Sequence, residues 1–424
     1  MVSPMGAIFT ATLFLALIYA TFISLGLPDS LLGAAWPVMQ PDLGVPYSFA
    51  GVISMLIAGS TIIASFSSGS LLPRFGSGAV TRVSVALTAV ALFGFSQAPS
   101  YGWLLALAVP LGLGGGAVDA ALNHFVATHY AAHHMNWLHC FWGVGAMTGP
   151  LILSRFIAQG GDWRGGYLII SLIQIGLAAI LFASIPLWRR MEGERPAAGA
   201  PVREAARQPG GDEGQTAESA LQARSYTLGR LLRLPGVAPG LLAFFLYCGL
   251  EATMGLWGSS FLVRARGFDP VAAAFGVSLF YGSLTFGRFV SGFASMRMSN
   301  PGLIRAGLWT ILAGMAVMFI PVGGVVPLVG FALVGLGCAP IYPAMLHETP
   351  RRFGEAAVSL IGIQMGVAYT GTTFLPPAFG WITAGRHLGW LPVVVLLYAS
   401  LMLLATEVVE RRTAWAAAEG PGSP

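Results

Sequence analysis

The chain has 424 residues, 55% of them hydrophobic and only 9% charged, with a net charge of +5. A soluble domain carries roughly a quarter charged residues, so the soluble classes are excluded, and the small positive balance reflects loop topology rather than nucleic-acid binding. All 22 basic residues are arginine. Without lysine there is no GxxxxGK[ST] phosphate loop, which excludes ATP-driven transport by this chain.

An α-helix crosses the bilayer core with about 20 mostly apolar residues. The opening residues, MVSPMGAIFT, show no charged leader and no cleavage site, so the first apolar run is expected to remain as a span. Spans are predicted near 8–35, 47–72, 79–98, 102–130, 136–158 and 165–188. A second group follows near 236–262, 271–296, 302–321, 325–346, 356–383 and 388–408. The three cysteines, Cys140, Cys248 and Cys338, fall inside apolar runs and form no CxxC pair. They read as small buried residues rather than a disulfide or metal framework.

Residues 189–235 are mixed in charge and rich in Pro, Gly and Ala. Such a segment cannot bury enough apolar area to fold alone and is expected to be a flexible linker. The expected organisation is an N-terminal six-helix bundle (1–188), the linker (189–235), a C-terminal six-helix bundle (236–408) and a tail (409–424). With the N-terminus inside, sixteen arginines fall on the cytoplasmic side and five on the other, with Arg288 inside a span. That bias follows the positive-inside rule, so linker, tail and both termini are expected in the cytoplasm. The chain is expected to be a multi-pass monomer in the plasma membrane, its partners the lipid bilayer and a small-molecule substrate.

An internal repeat supports the six-plus-six division. Residues 59–74 read GSTIIASFSSGSLLPR and residues 282–297 read GSLTFGRFVSGFASMR. Gly, Ser, Phe, Ser, Gly and Arg recur at six matched places of the two stretches. A weaker echo pairs Gly145 and Pro150 with Gly371 and Pro376. Repeated halves with a site at their interface describe many transporters.

Twelve spans, a long middle linker and this repeat resemble the major facilitator superfamily. Its signature after the second span, roughly G-x-L-x-D-R-x-G-R-R, is matched here by GSLLPRFGSG, which keeps Gly69, Leu71, Arg74 and Gly76. Pro73 replaces the acid, and Ser77 and Gly78 replace the last two basic residues, so the charge-relay lock of that loop is weakened. Further stretches are similar to the fucose/glucose permease and sodium-dependent glucose transporter-like branch: GGGAVDAALN, NWLHCFWGVGAMTGP, YCGLEATMGLWGSSFL, LVGLGCAPIYPAML and GIQMGVAYTGTTFLPP. The resemblance implies an all-α membrane fold of two pseudo-symmetric six-helix bundles. It also implies symport of a sugar driven by protons or sodium, with no other cofactor.

The polar residues inside the spans are the candidate site. Asp119 and Asn123 are i and i+4 and share one helical face behind the three glycines 114–116. A carboxylate in the apolar core is costly, so it is expected to face protein or a water-filled cavity. A carboxyl that changes charge as access alternates is what proton coupling requires, and the same group ionised can hold sodium. Asp29, after Gly26-Leu27-Pro28, is expected near the outer end of a kinked first span, and Glu251 lies mid-span; both join Asp119 as coupling candidates. Arg288 is expected to pair with Glu251, and Arg74, Arg288 and Arg297 form the gating or structural set.

Sugar sites need planar hydrogen-bonding side chains and aromatic faces. The substrate-binding candidates are Asn123, Asn136, His139, Trp142, Trp257, Tyr281, Gln364 and Tyr369. Trp36, Trp103, Trp163, Trp188 and Trp390 fall at span ends and read as interfacial anchors. The histidines from His124 to His139 include an H-x3-H-H spacing like that of membrane di-iron enzymes. Seven histidines in the chain are too few for such a site, so a solvated loop is expected instead, with no enzyme and no metal. Two other readings stand beside sugar symport: a proton-coupled exporter of drugs or other amphipathic compounds, and a transport-inactive sensor on the same fold.

Overall fold

In lipid every backbone N–H and C=O must find its partner inside its own segment, and the computed structural model of the chain satisfies this with helices. It describes residues 4–130, 132–160, 162–193, 228–383 and 387–419, and no strand occurs among them. The first half contains α1 (Pro4–Asp29), α2 (Leu31–Leu43), α3 (Phe49–Phe75), α4 (Ser77–Ser96), α5 (Tyr101–His129), α6 (Ala132–Ile157), α7 (Trp163–Ala183) and α8 (Ile185–Gly193). The second contains α9 (Leu228–Leu232), α10 (Val237–Arg266), α11 (Pro270–Ala294), α12 (Asn300–Phe319), α13 (Val326–Cys338), α14 (Ile341–Phe353), α15 (Ala357–Thr383) and α16 (Leu391–Glu419).

Helix starts are written in the sequence. Asp269 Oδ1 accepts from the amides of Val271 and Ala272 at 2.9 and 3.0 Å, with Pro270 next in line. Asp162 Oδ1 accepts from Gly165 N at 2.9 Å, and Ser299 caps α12 in the same way. These side chains satisfy amides that the first helical turn leaves open. At the other end Gly44, with φ of 62°, closes α2 by donating to the Gln40 carbonyl, a left-handed cap that glycine adopts without steric cost.

Among the described residues, eleven spans are long and apolar enough to cross a membrane. The twelfth expected span is α15, 27 residues long. Two boundaries differ from expectation. The first span continues past Asp29 and the break at Ser30 as far as Leu43, because Pro37 and Pro41 are accommodated inside α2. The linker's first residues lie in α8, where Trp188 packs against Phe14 and Phe125. Residues 194–227, the bulk of the expected linker, lie outside the described residues.

The two halves repeat one packing scheme. In the first, α3 and α4 pack on α5, α4 on α7, and α1 on α6. In the second, α11 and α12 pack on α13, α12 on α16, and α10 on α15. The match extends to individual backbone contacts. A Cβ on Gly112 would collide with the Ile57 carbonyl, and one on Gly335 with the Phe280 carbonyl, the same pair of places in the register of the repeat. Gly145 meets the Ile23 carbonyl as Gly371 meets that of Phe245. Small residues here let helix backbones touch, which is how helices associate where lipid offers no hydrophobic drive.

The halves join at the end away from the termini. Gly33 sits against the Gly255 carbonyl, Gly51 against Pro377, and Ser259 Oγ donates to the Ala34 carbonyl at 3.3 Å. Tyr47 stacks on Trp257, and the Arg264 guanidinium lies over the Tyr47 ring. Toward the terminal side, residues 66–75 of α3 and 289–299 after the cavity-lining part of α11, where the two copies of the repeat end, are mostly exposed. Among the described residues the hydrogen bonds linking the halves lie at or beyond mid-span, away from the termini.

Candidate functional site

A cavity of about 430 Å³ lies midway through the molecule, between the halves. That volume falls within the roughly 300–1,000 Å³ of small-molecule sites. Three acids, Asp29, Asp119 and Glu251, reach it together with Arg288 and His139. Its aromatic wall is Phe22, Trp142, Tyr247, Tyr281, Tyr342 and Tyr369.

Asp119 is positioned by α5. Gly114 and Gly116 press against α4 and α3, at Ser84/Thr88 and Thr61, while Gly115 between them has only the Leu25 side chain nearby and lines the cavity. The helix is thereby held close to its neighbours on both sides, and Asp119 emerges into the cavity one turn on. Its Oδ1 accepts from Asn123 Nδ2 at 3.0 Å. Asn123 itself does not line the cavity, and its own Oδ1 is buried without a partner among the described residues. The amide supports the acid rather than the ligand.

Asp29 is deeper than expected. The helical run continues past Asp29 as far as Leu43, so Asp29 stands well inside the span and not near its outer end. The chain breaks at Ser30, whose hydroxyl donates to the Ala146 carbonyl at 2.7 Å, and helical structure resumes at Leu31. The carboxylate accepts from Trp142 Nε1 at 2.7 Å. Across the cavity Glu251 Oε2 accepts from the Tyr247 hydroxyl at 2.8 Å, and Arg288 Nη2 stands 3.9 Å away. The expected pair is thus brought together, with both side chains more than four-fifths buried, but at a separation longer than a hydrogen bond.

His139, Trp142, Tyr281 and Tyr369 line the cavity with the acids. Two other substrate candidates do not reach it. Trp257 is fully buried, and its indole N–H donates to the Pro376 carbonyl at 2.7 Å, so it belongs to the closed end. Gln364 is buried and exchanges hydrogen bonds with Thr349 at 2.9 and 3.0 Å. Both are polar groups spent on helix–helix bonds, a use that local sequence does not distinguish from ligand binding. The side chain of Asn136 lies outside the described residues. Arg74 is exposed in the last turn of α3 and lies over the neighbouring Phe75 ring at 5.2 Å; Arg297 is exposed in the turn after α11.

Further expectations are corrected. The histidines do not sit in a solvated loop: α5 runs to His129, α6 begins at Ala132, and His134 Nδ1 meets the Tyr19 hydroxyl at 2.7 Å. The side chain of His133 lies outside the described residues. Of the five tryptophans assigned to the interfaces, only Trp103 and Trp390 are exposed. Trp36 and Trp163 are buried because their N–H groups reach the Tyr47 carbonyl and Asp42, and Trp188 because its ring covers Gly78.

Tyr247 and Tyr342 are cavity residues that the sequence reasoning passed over. The signals were present. Tyr247 is i−4 to Glu251, the same spacing that singled out Asp119 and Asn123, and Tyr342 occupies the place that the repeat matches to Asp119.

Two matched helical bundles around a polar, aromatic-lined midplane cavity define a multi-pass membrane transporter. The chain belongs to the Major Facilitator Superfamily, whose family model matches residues 9–376. It is 24% identical over 408 residues to Bypass of stop codon protein 6 of Saccharomyces cerevisiae, covering 90% of this chain and 79% of that one. It is 21% identical over 416 residues to the Glucose/mannose transporter GlcP of Bacillus subtilis, covering 93% and 94%. A crystal structure of a D-xylose-proton symporter superposes with a TM-score of 0.69 at 15% identity, covering 96% of this chain and 98% of the other.

Proposed function

We propose that the protein is a secondary transporter with no chemical step of its own, working by alternating access as an ion-coupled symporter of a sugar or similar small neutral polar solute. The observation that carries this is that Asp119 opens into the same cavity as Trp142, Tyr281 and Tyr369. Sugar rings rest their C–H faces on such aromatics while acids and amides take their hydroxyls. An exporter of amphipathic drugs would instead suit a wall dominated by Phe and Met, and here four of the six aromatic walls carry a phenol. The relative named as a glucose/mannose transporter and the neighbour named as a xylose–proton symporter support the same substrate class.

In this reading Asp119 carries the coupling ion, and Asp29 and Glu251 share the cavity with it. The arginine excess supports an orientation in the plasma membrane with both termini in the cytoplasm. Uptake of labelled glucose and mannose into proteoliposomes under imposed proton or sodium gradients tests the proposal. Accumulation driven by one of the two gradients is expected, and that gradient identifies the ion. Accumulation of amphipathic cations by antiport, with no hexose uptake under either gradient, would replace symport with export.

A further inference from the structure

Arg288 is a buried cation with few polar contacts in the protein, the Tyr247 hydroxyl that donates to Glu251 standing beside it. A guanidinium offers five N–H groups. Its Nε is buried without a hydrogen-bond partner among the described residues, and Nη2 stands 3.9 Å from Glu251 Oε2. The guanidinium instead lies over the face of Trp142, 5.6 Å from the ring centroid. Elsewhere in the same half an arginine closes on its carboxylate: Arg305 engages Glu407 through two nitrogens, Nε to Oε1 and Nη2 to Oε2, the second at 3.0 Å. Burying a charge without its hydrogen bonds is among the costlier arrangements in a protein interior. Arg288 and Glu251 both line the central cavity, so the missing partner has a place to come from.

The separation says what kind of atom fits. One oxygen at about 2.8 Å from each group spans a gap of this size, if it accepts from Nη2 and donates to Oε2. A carboxylate accepts but cannot donate, and it would face Glu251 with like charge. An ammonium donates but cannot accept. A hydroxyl does both. Resting on the sugar reading above, we infer that Arg288 and Glu251 form a hydroxyl clamp, and that Arg288 is a ligand-binding residue rather than a gating or structural one. The ligand is a neutral compound bearing a hydroxyl that bridges Nη2 and Oε2 beside the Tyr247 hydroxyl. Glu251 thereby serves the ligand, and coupling stays with Asp119 in the other half.

The test measures binding to the purified full chain in lipid nanodiscs, using glucose, mannose, their monodeoxy analogues and glucuronate, by calorimetry. In the wild type at least one monodeoxy analogue is expected to bind about tenfold more weakly than its parent, the worth of a hydrogen bond to a charged group. Glucuronate is expected to bind more weakly than glucose. In the double variant Arg288→Gln/Glu251→Gln, which removes both charges together and leaves no lone buried ion, that deoxy penalty is expected to fall below about twofold. Should the double variant fail to fold by thermal melting, Arg288→Lys and Glu251→Gln are read by the same ratio of parent to analogue. An unchanged deoxy penalty in a folded variant, or glucuronate bound more tightly than glucose, overturns the clamp while leaving sugar symport standing. If the wild type binds no member of the panel, the sugar reading falls and the clamp with it.

Discussion

The two halves share a scaffold and differ in what they carry at matched places. Asp29 and Glu251 correspond in the same register that pairs Ile23 with Phe245, whose carbonyls receive Gly145 and Gly371. Ser65 and Arg288 are matched by the repeat, as are Asp119 and Tyr342. The first half thus places two acids on the cavity, each held by one neutral donor, Asn123 or Trp142. The second places one acid there with a tyrosine and a guanidinium. Backbone contacts set by glycine are retained because they determine how helices approach. Cavity side chains are free to diverge because the packing does not depend on them. The lesson is a division of labour: an acid without a fixed countercharge suits a group that gains and loses an ion, while an acid beside an arginine suits a ligand contact.

The sharpest break between the halves should come from the acids. Asp119→Asn is expected to abolish gradient-driven accumulation in proteoliposomes while preserving substrate exchange. Glu251→Gln should do the reverse, keeping coupling but raising KM by about tenfold, the value of a charge-assisted hydrogen bond. If Asp119→Asn still accumulates substrate against a gradient, the division of labour is lost. A loss of exchange as well would assign Asp119 to folding or binding.

The shared scaffold predicts equality where the acids predict difference. Gly112→Ala and Gly335→Ala each force a methyl onto a backbone carbonyl of the facing helix, an overpacking that costs about 1–3 kcal/mol. Both should lower the melting temperature by similar amounts. A shift confined to one half would show that the matched contacts are not energetically equivalent. A smaller effect is expected from Trp257→Phe, which removes the bond to the Pro376 carbonyl at the closed end and should cost about 1 kcal/mol in stability. Ligand affinity should be unaltered, because Trp257 lies away from the cavity.

The smallest effect is expected at Arg74. In the first half the loop signature has lost its acid to Pro73, and the Trp188 ring covers Gly78, where the family signature carries a basic residue. The second half keeps charged contacts on its terminal side, including Arg305 with Glu407 and Arg352 with both Glu348 and Glu410. Arg74→Ala should therefore change the initial uptake rate by less than about twofold, as exposed charges contribute little. Complete inactivation would mean that Arg74 acts in another state of the cycle.

Much of this was legible in the chain itself. The spans, the six-plus-six division and the family followed from apolar runs, arginine placement and one sixteen-residue repeat, because a bilayer admits few ways to bury a backbone. Asp119 was found because lipid makes a mid-span carboxylate conspicuous. Glu251 and Arg288 were found for the same reason.

Three things were decided only by tertiary structure. Asp29 is well inside the first span because that span continues through its break, and whether a helix resumes after Pro28 depends on what the next turns pack against. Trp257 and Gln364 are bound to helix neighbours, whereas Trp142 and Tyr369 face the cavity, and all four look alike locally. The 3.9 Å between Arg288 and Glu251 is set by how α10 and α11 lie against each other. Composition and periodicity determine which segments enter the membrane, since that choice is made residue by residue against lipid. Which polar side chain meets a substrate is a matter of angles between helices, and those belong to the packed assembly.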